Sequence, residues 1–531
     1  MYERKVGKIK KAISRYTTES LAKNMLIRLR SSYEGKEVQN IHPWCVCLCL
    51  EWILEQYPND KGVHATNRDA QKILQKVWDL QNEALDLENK KESYTDVLLA
   101  LRPFIHLQGL YQKQEHRHLQ DMLRTYHILH RSNRFDNYKS DFLESTGIEI
   151  REFLIVGLFL ILLFQKKGSV KSNSIPTSEI IRELHPSISI DSLIRIINST
   201  GFTLESASCH LQNKSKKINS PSEYYSPTFF NQKPILIYDS KLYPLHPVLV
   251  SFGISSFIFD TLKERDPNKF KTSFTKDFED YISDLLEDAG EEFIREGSIR
   301  EKCGANNKVV DFLINDYDTV IFIDAKGQEP HKNVVISDSK TLLKNRISKT
   351  LYHAVEQASL CCKELSKKEE NNIPSYERRF AVIVTHHSYF FSRGSHLVEL
   401  LGDDNTKRLI QSCNDIIPLE NIFFLSCEEL ELLGDILNNT RFKIKDFLSH
   451  CLESENSDGF EMMKSIKDFK EKHNLKRRNG LKRKQIQEVF TSLNKELINT
   501  IQGNMSFWKK NGITKIRLFI SSLNKFNENI H

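Results

Sequence analysis

Two carboxylates and an ammonium group occur at a spacing suited to metal-assisted hydrolysis. Asp324 and Lys326 lie two residues apart in a β-branched and aromatic run, residues 319–327, which is typical of a strand. Side chains alternate in direction along a strand, so these two project from the same face. Asp311 lies in the preceding apolar run and would add a second carboxylate from the neighbouring strand. Carboxylates are the hard oxygen ligands that Mg²⁺ prefers, and bound Mg²⁺ acidifies water.

The same three residues also have a purely structural interpretation. Asp311 could be an exposed strand carboxylate, and Asp324 with Lys326 a surface ion pair that adds little stability. The neighbouring segments, residues 312–314 and 320–323, are continuously apolar, as in strands that are buried on both faces. Acid and lysine side chains that end such runs indicate a cleft, which favours the catalytic interpretation.

The elements around these residues predict a mixed sheet with helices on both faces. The predicted order is a helix at 277–282, strands at 292–299, 308–314 and 319–327 with a turn at 315–318, a helix at 340–365, a strand at 379–385, a helix at 407–413, a strand at 421–426 and a helix at 427–437. Ser426 is the expected N-cap of the last helix, because Glu428 and Glu429 occupy its first turn.

This core, residues 270–440, resembles the PD-(D/E)XK, or restriction-endonuclease-like, nuclease superfamily. The resemblance rests on Glu279 in the first helix, Asp311 in the sequence Val310-Asp311-Phe312, and the triplet Asp324-Ala325-Lys326 on the next strand. Val310 stands where the family's name-giving proline would be. The resemblance implies an α/β restriction-endonuclease-like core with a mixed sheet, which hydrolyses phosphodiester bonds of nucleic acid.

The resemblance also implies a metal site. Asp311 and Asp324 would hold Mg²⁺, for which Mn²⁺ could substitute, and the main-chain carbonyl of Ala325 would be a third protein ligand. Glu279 would reach the metal directly or through water, although other acids lie near it on the same helix.

Three further residues receive expected roles at the reacting phosphate. Lys326 would position or deprotonate the attacking water, or neutralise the developing charge, and the sequence does not separate these roles. Gln328 and Gln357 are candidates for contacts with phosphate or water.

The chain before the core predicts two regions. Residues 1–170 carry apolar residues at three- and four-residue spacing with few Gly or Pro, which indicates an α-helical N-terminal domain. Residues 171–265 predict two short helices and a hairpin, the order of a winged-helix-like module. No concentrated basic stretch lies on the second helix, so we favour a structural connector over a nucleic-acid-binding module.

Residues 451–531 predict a basic α-helical C-terminal region. They contain sixteen Lys or Arg against nine Asp or Glu. Such a region can bind phosphates by counterion release, and a solvated turn between two helices is an equal alternative. The residues predicted to bind nucleic acid are Lys476, Arg477, Arg478, Lys482, Arg483 and Lys484.

The composition is that of a soluble globular protein with several domains. The 531 residues are 39% hydrophobic and 27% charged, with a net charge of +6. The ten cysteines lack metal-ligand spacing, which favours reduced core thiols and a cytoplasmic location.

The start of the chain lacks the apolar stretch of a secretory signal. The most apolar window, residues 153–164, is too short to cross a bilayer, so we expect a buried helix there and no membrane partner.

These observations predict a Mg²⁺-dependent endonuclease with DNA favoured over RNA as its substrate. The large non-catalytic portion resembles bacterial antiphage defence effectors, which implies a role in defence or restriction and an activating protein or phage component as partner. Double-strand cleavage by this fold often pairs two active sites, so a homodimer is an expected arrangement, although the sequence identifies no interface.

The alternative is a catalytically silent nucleic-acid-binding or protein-sensing module on the same fold. The intact set of two acids and a lysine argues against that alternative.

Overall fold

The structure is a computed structural model that is mostly helical and contains two mixed sheets. It describes residues 1–33, 42–85, 94–112, 115–165, 174–214, 220–304, 307–327, 345, 347–367, 378–389, 392–401, 416–438, 440–453, 462–475, 483–509 and 512–531. The contacts divide the chain into two compact units. The first comprises Met1–Asn89, Phe104–Pro267 and Lys484–His531, and the second comprises Lys90–Pro103 and Asn268–Arg483.

The first unit is built mainly from helices. Their bounds are Tyr2–Ile13, Thr18–Tyr33, Pro43–Leu54, Asn67–Asp79, Gln81–Leu85, Glu115–Arg131, Phe135–Thr146, Ile150–Gln165, Thr177–Leu184, Ile190–Thr200, Leu204–Lys214, Pro247–Arg265, Lys484–Lys509 and Ile513–Asn529. The helix Tyr94–Gln112 contains Pro103, where the division between the units falls. This region contains both the predicted helical N-terminal residues and the last part of the predicted C-terminal region.

The apolar helix Ile150–Gln165 is buried over most of its described length, which confirms the prediction for this window. It packs against Pro247–Arg265 and Lys484–Lys509. Gly157 allows one of these contacts, because a Cβ atom there would lie 2.7 Å from Ile254 Cγ2. No helix among the described residues combines the length and the apolar character needed to span a membrane.

A small four-stranded sheet completes the first unit. Strands β1 (Ile175–Pro176), β2 (Gly201–Phe202), β3 (Ile235–Tyr238) and β4 (Lys241–Pro244) lie in the order β1-β4-β3-β2. The predicted hairpin is confirmed as β3 and β4. Its turn residues Asp239 and Ser240 both have positive φ angles, 50° and 52°, as a tight two-residue hairpin requires.

The second unit contains the five-stranded sheet that carries the predicted site. Its strands are β5 (Ile294–Arg295), β6 (Phe312–Asp316), β7 (Thr319–Lys326), β8 (Arg378–Thr385) and β9 (Ile422–Ser426), in the order β5-β6-β7-β8-β9. Strands β5, β6 and β7 pair antiparallel, whereas β7, β8 and β9 pair parallel. The mixed sheet predicted from the sequence is therefore confirmed.

Helices cover both faces of this sheet. Their bounds are Pro267–Asp288, Glu296–Cys303, His353–Ser366, Gly394–Leu401, Cys427–Leu437, Ile444–Glu453 and Met463–Lys472. On one face, Val320 and Phe322 share a buried cluster with Ala354 and Cys361 of the helix His353–Ser366. On the other face, an apolar cavity brings the side chain of Ile323 together with those of Leu286, Leu433 and Phe447.

Two predicted strands differ from the observed elements. Residues 292–299 form only the two-residue strand β5 and then the helix Glu296–Cys303, since Ile299 and Cys303 lie four residues apart and are both buried on one helix face. The segment 308–311 is irregular, and β6 begins at Phe312. For the predicted helix 340–365, the described part is a π-helical turn at Ser348–Tyr352 followed by His353–Ser366.

The remaining predictions for this sheet agree with the structure. The strands at 379–385 and 421–426 and the helix at 427–437 are observed within one residue. Ser426 caps that helix, because its hydroxyl accepts a hydrogen bond from Glu429 N at 3.3 Å. The predicted helix at 407–413 lies outside the described residues.

Candidate active site

The two predicted metal-binding aspartates lie opposite each other across neighbouring strands. Phe312 of β6 pairs with Ile323 of β7, so the same antiparallel register places Asp311 opposite Asp324. Strand β6 begins only at Phe312, so Asp311 lies just before the first ladder residue. The hairpin therefore brings together two carboxylates that are thirteen residues apart in the sequence.

The backbone of β7 holds the Asp311 carboxylate in place. Ala325 N donates a hydrogen bond of 2.6 Å to Asp311 Oδ2. The pairing between β6 and β7 ends at Phe312 and Ile323, so a strand carbonyl is not the acceptor for Ala325 N. The Asp311 side chain accepts this hydrogen bond instead. The contact fixes the distance of Asp311 from the Asp324-Ala325-Lys326 triplet.

Asp324 is almost fully buried and is paired with the lysine of the same triplet. Its exposed fraction is 1%, and Lys326 Nζ lies 2.5 Å from its Oδ2 atom. This contact confirms that the two side chains project from the same face of β7. Both carboxylate oxygens are buried and accept no hydrogen bond of ordinary geometry among the described residues, and the neighbouring Asp311 carboxyl lies close enough to lower the pKa of Asp324 against the larger effect of burial. A buried carboxylate oxygen without a donor is costly unless a cation or another proton donor supplies the missing interaction.

Glu279 approaches the same carboxylates from the helix Pro267–Asp288. Gly327, directly after β7, lets that helix come close, because a Cβ at this position would lie 3.1 Å from both Phe278 Cβ and Thr275 Cα. Burial raises the pKa of Glu279 to about 7, and the negative charge of Glu296 adds to the increase. The ammonium of Lys326 acts in the opposite direction. The helix thus delivers a third acid whose charge changes near neutral pH.

The electrostatics of the two aspartates reflect their burial and their proximity. Burial raises the pKa of Asp311 to about 9, and the charges of Asp324 and Glu279 add to the increase. The pKa of Asp324 is also raised by burial, against the opposing effect of Lys326. The pKa of Lys326 is raised because the attraction of the three acids outweighs the loss of hydration. The four predicted catalytic residues therefore form one electrostatic group with more negative than positive charge when all are ionised.

The residues present fit a divalent cation that is bound mainly by two carboxylates. Among the described residues, no three His, Cys, Asp or Glu side chains converge into a complete metal site. Mg²⁺ does not need such a set, since it commonly uses one or two carboxylates and keeps several waters. Asp311 and Asp324 supply two acids, and within the described part of the chain neither oxygen of Asp324 accepts a hydrogen bond of ordinary geometry. Glu279 and the Ala325 carbonyl stay predicted ligands.

The predicted nucleic-acid contacts have different environments. Gln357 donates from Nε2 to the carbonyl of Val309, within the segment that leads to Asp311. Gln328 lies outside the described residues, as do four of the basic candidates, Lys476, Arg477, Arg478 and Lys482.

The other two basic candidates differ from each other. Lys484 is exposed at the first turn of the helix Lys484–Lys509. The side chain of Arg483 is only 4% exposed, and its Nε lies 2.6 Å from Asp288 Oδ2. Its guanidinium also covers the ring of Tyr281, 4.8 Å from the centroid. The expectation of phosphate binding at Arg483 is therefore corrected, because intramolecular contacts occupy this side chain.

Two side chains near the site were not predicted from the sequence. Lys308 Nζ, three residues before Asp311 in the chain, lies 2.8 Å from His353 Nε2. His353 Nδ1 in turn lies 3.2 Å from Glu356 Oε2. The one available signal was the four-residue spacing of His353, Gln357 and Cys361, which places them on one helix face.

No family model, curated protein or solved structure matches this chain. The assignment of a function therefore depends on the residues and their geometry.

Proposed function

We propose that this protein is a metal-dependent nuclease that hydrolyses phosphodiester bonds of nucleic acid, with DNA as the favoured substrate. The observation that carries the proposal is the placement of Asp311 and Asp324 on facing strand ends, with Lys326 in contact with Asp324. A purely structural ion pair would not need a second buried acid, Asp311, whose pKa is raised by burial and by the charge of Asp324. Clusters of acids with strongly perturbed pKa values are typical of catalytic sites.

Each residue of the site has a task in this proposal. Asp311 and Asp324 would hold Mg²⁺, with Glu279 joining them directly or through water. When bound, Mg²⁺ would supply positive charge at the phosphoryl oxygens and lower the pKa of a bound water. Lys326 would be released from part of its attraction to Asp324 and could then orient the attacking water or offset charge on the phosphate.

The biological setting is part of the proposal. We infer a cytoplasmic endonuclease acting in antiphage defence or restriction, because a large non-catalytic portion accompanies the candidate site. That portion offers room for an activating protein or phage component and for self-association into a homodimer. The competing possibility is a binding module without catalysis, and the assay below separates the two.

Cleavage of plasmid DNA, single-stranded DNA and total RNA with Mg²⁺ or Mn²⁺ tests the proposal. We expect the wild-type protein to cleave at least one of these substrates, and Lys326→Ala to reduce the rate about 10²- to 10³-fold, as for the loss of one preorganised electrostatic contact. Lys445→Ala is a matched control. The Lys445 side chain is 25% exposed, against 22% for Lys326, and pairs with Asp316 at the opposite end of the β6–β7 hairpin.

Equal cleavage by wild type and Lys326→Ala would place the activity elsewhere and reject this site. Absence of cleavage by the wild type, both alone and with candidate activators, together with no thermal response to either metal, would favour the silent binding module.

The cleavage rate should depend on the ionisation of Glu279. Because its pKa is raised to about 7, this residue changes from neutral to charged as the pH rises through neutrality. If the charged form assists the metal, Glu279 should contribute a rise in rate through about pH 7, and Glu279→Gln should remove this limb of the pH–rate profile but keep the rise at higher pH that ionisation of Asp311, with a pKa of about 9, contributes.

A second variant tests the cause of that limb. Glu296→Gln removes the charge that raises the pKa of Glu279, so the limb should move to lower pH. A limb that stays in place in both variants would assign the pH dependence to another group.

A further inference from the structure

A face of the helix His353–Ser366 contacts three consecutive residues just before Asp311. Lys308 Nζ lies 2.8 Å from His353 Nε2, and the Val309 carbonyl accepts a hydrogen bond from Gln357 Nε2. The next residue, Val310, shares a buried apolar cluster with Cys361 of the helix, and its backbone lies close enough to lower the pKa of the Cys361 thiol against the larger effect of burial. The three helix residues are spaced by four, so they form one row along the helix.

This row of helix side chains contacts residues 308–310, where a longer strand β6 would instead pair with β7. Residues 308–310 have no strand conformation, and β6 begins only at Phe312. Buried backbone groups need partners, and Val309 and Val310 are fully or almost fully buried, with exposed fractions of 1% and 0%. Gln357 of the helix supplies such a partner to the Val309 carbonyl in place of a neighbouring strand.

The row can influence the candidate site because Asp311 follows immediately. Asp311 Oδ2 accepts from Ala325 N at 2.6 Å, and this contact depends on where the segment places the Asp311 Cα atom. A shift of the segment would move one carboxylate relative to Asp324 without changing either acid.

We propose that Gln357 and Cys361 are positioning residues, which hold the segment 308–310 so that the Asp311 carboxylate lies against Ala325 N and opposite Asp324. The role in catalysis rests on the proposed nuclease function, whereas the role in holding Asp311 does not. The proposal replaces the direct phosphate or water contact expected for Gln357 from the sequence. Cys361 contributes by packing, since it is buried in the same apolar cluster as Val309 and Val310.

Hydrogen–deuterium exchange at the Ala325 amide tests the positioning independently of activity. We expect Gln357→Ala and Cys361→Ala to increase the exchange rate of this amide at least about tenfold, because the Asp311 carboxylate that accepts it becomes displaced. Cys362→Ala is the matched control, since Cys362 is equally buried in the same cluster but its contact with Ser366 is through its backbone carbonyl, which accepts from Ser366 Oγ at 2.7 Å and is kept in alanine.

Kinetics and metal binding by the full chain form the second part of the test. Gln357→Ala and Cys361→Ala should lower kcat about 10- to 100-fold, the usual range for contacts outside the metal ligands. They should weaken Mn²⁺ binding, measured by thermal shift, by a similar factor. KM should stay nearly constant, since neither residue contacts the substrate in this proposal. The Cys362→Ala variant should stay within about twofold of wild type in kcat.

The outcomes distinguish this inference from the proposed function. Unchanged Ala325 exchange in both Gln357→Ala and Cys361→Ala would overturn the inference, and so would an equal increase in Cys362→Ala. A raised KM for Gln357→Ala with normal Ala325 exchange would also overturn it, in favour of direct substrate contact. A wild-type protein that neither cleaves nucleic acid nor binds metal would reject the nuclease, while the exchange measurements would still decide the positioning role.

Discussion

Replacing Asp324 by asparagine should lower the rate of nucleic-acid cleavage on the order of 10³-fold or more. The substitution keeps the side-chain shape but removes the negative charge that faces Lys326 at 2.5 Å and that we propose to bind the metal. It should also abolish thermal stabilisation by Mg²⁺, which for the wild type should reach about 2.7 kcal/mol at a concentration 100 times the dissociation constant. Cleavage kinetics and thermal unfolding with and without metal measure the two effects.

Asp316→Asn is the control for this variant. Asp316 lies at the other end of the same hairpin and is paired with Lys445 at 3.0 Å. We expect this control to keep both the cleavage rate and the response to metal. An Asp324→Asn protein that responds to Mg²⁺ as the wild type does would remove Asp324 from the metal site.

Replacing Asp311 by asparagine should have opposite effects on activity and stability. Cleavage should again fall on the order of 10³-fold, because the second metal-binding acid is lost. The metal-free variant should gain stability relative to the wild type as the pH rises from about 4 to about 9. The pKa of Asp311 is raised to about 9 in the folded protein, against an ordinary value of about 4 in the unfolded chain, so the wild type loses stability as the pH rises between those values. Asparagine removes this loss.

The expected gain at pH 8 is on the order of a few kcal/mol, which raises the melting temperature by on the order of ten degrees, with no gain at pH 4. Thermal unfolding at both pH values measures it. Asp318→Asn provides a control of opposite sign, because hydrogen bonding to Thr319 lowers the pKa of Asp318, and its loss should not stabilise the protein at pH 8. A lower stability of Asp311→Asn at pH 8 would show that the charged carboxylate contributes to folding rather than opposing it.

The predictable part of the second unit consisted of its regular, strongly patterned segments. The strands around Ile321, Val382 and Phe423 are apolar runs with turn or capping residues at their ends, and each occurs where expected. The two strand predictions that were wrong concern short segments with weak patterns. Residues 296–303 form a helix instead of a strand, because the spacing of Ile299 and Cys303 lets both be buried on one helix face. Residues 308–310 have a conformation that depends on contacts with the helix His353–Ser366.

The amino-acid sequence by itself determined that Asp324 and Lys326 share a face of one strand, because alternation along a strand is a local property. It also identified Asp311 and Glu279 as their candidate companions. Only the tertiary structure decided the register that places Asp311 opposite Asp324, the close approach at Gly327 that brings Glu279 near, and the contacts of Gln357 and Arg483 within the protein. These features join residues that are distant in the chain, and they depend on packing, burial and electrostatic interactions that no local pattern contains.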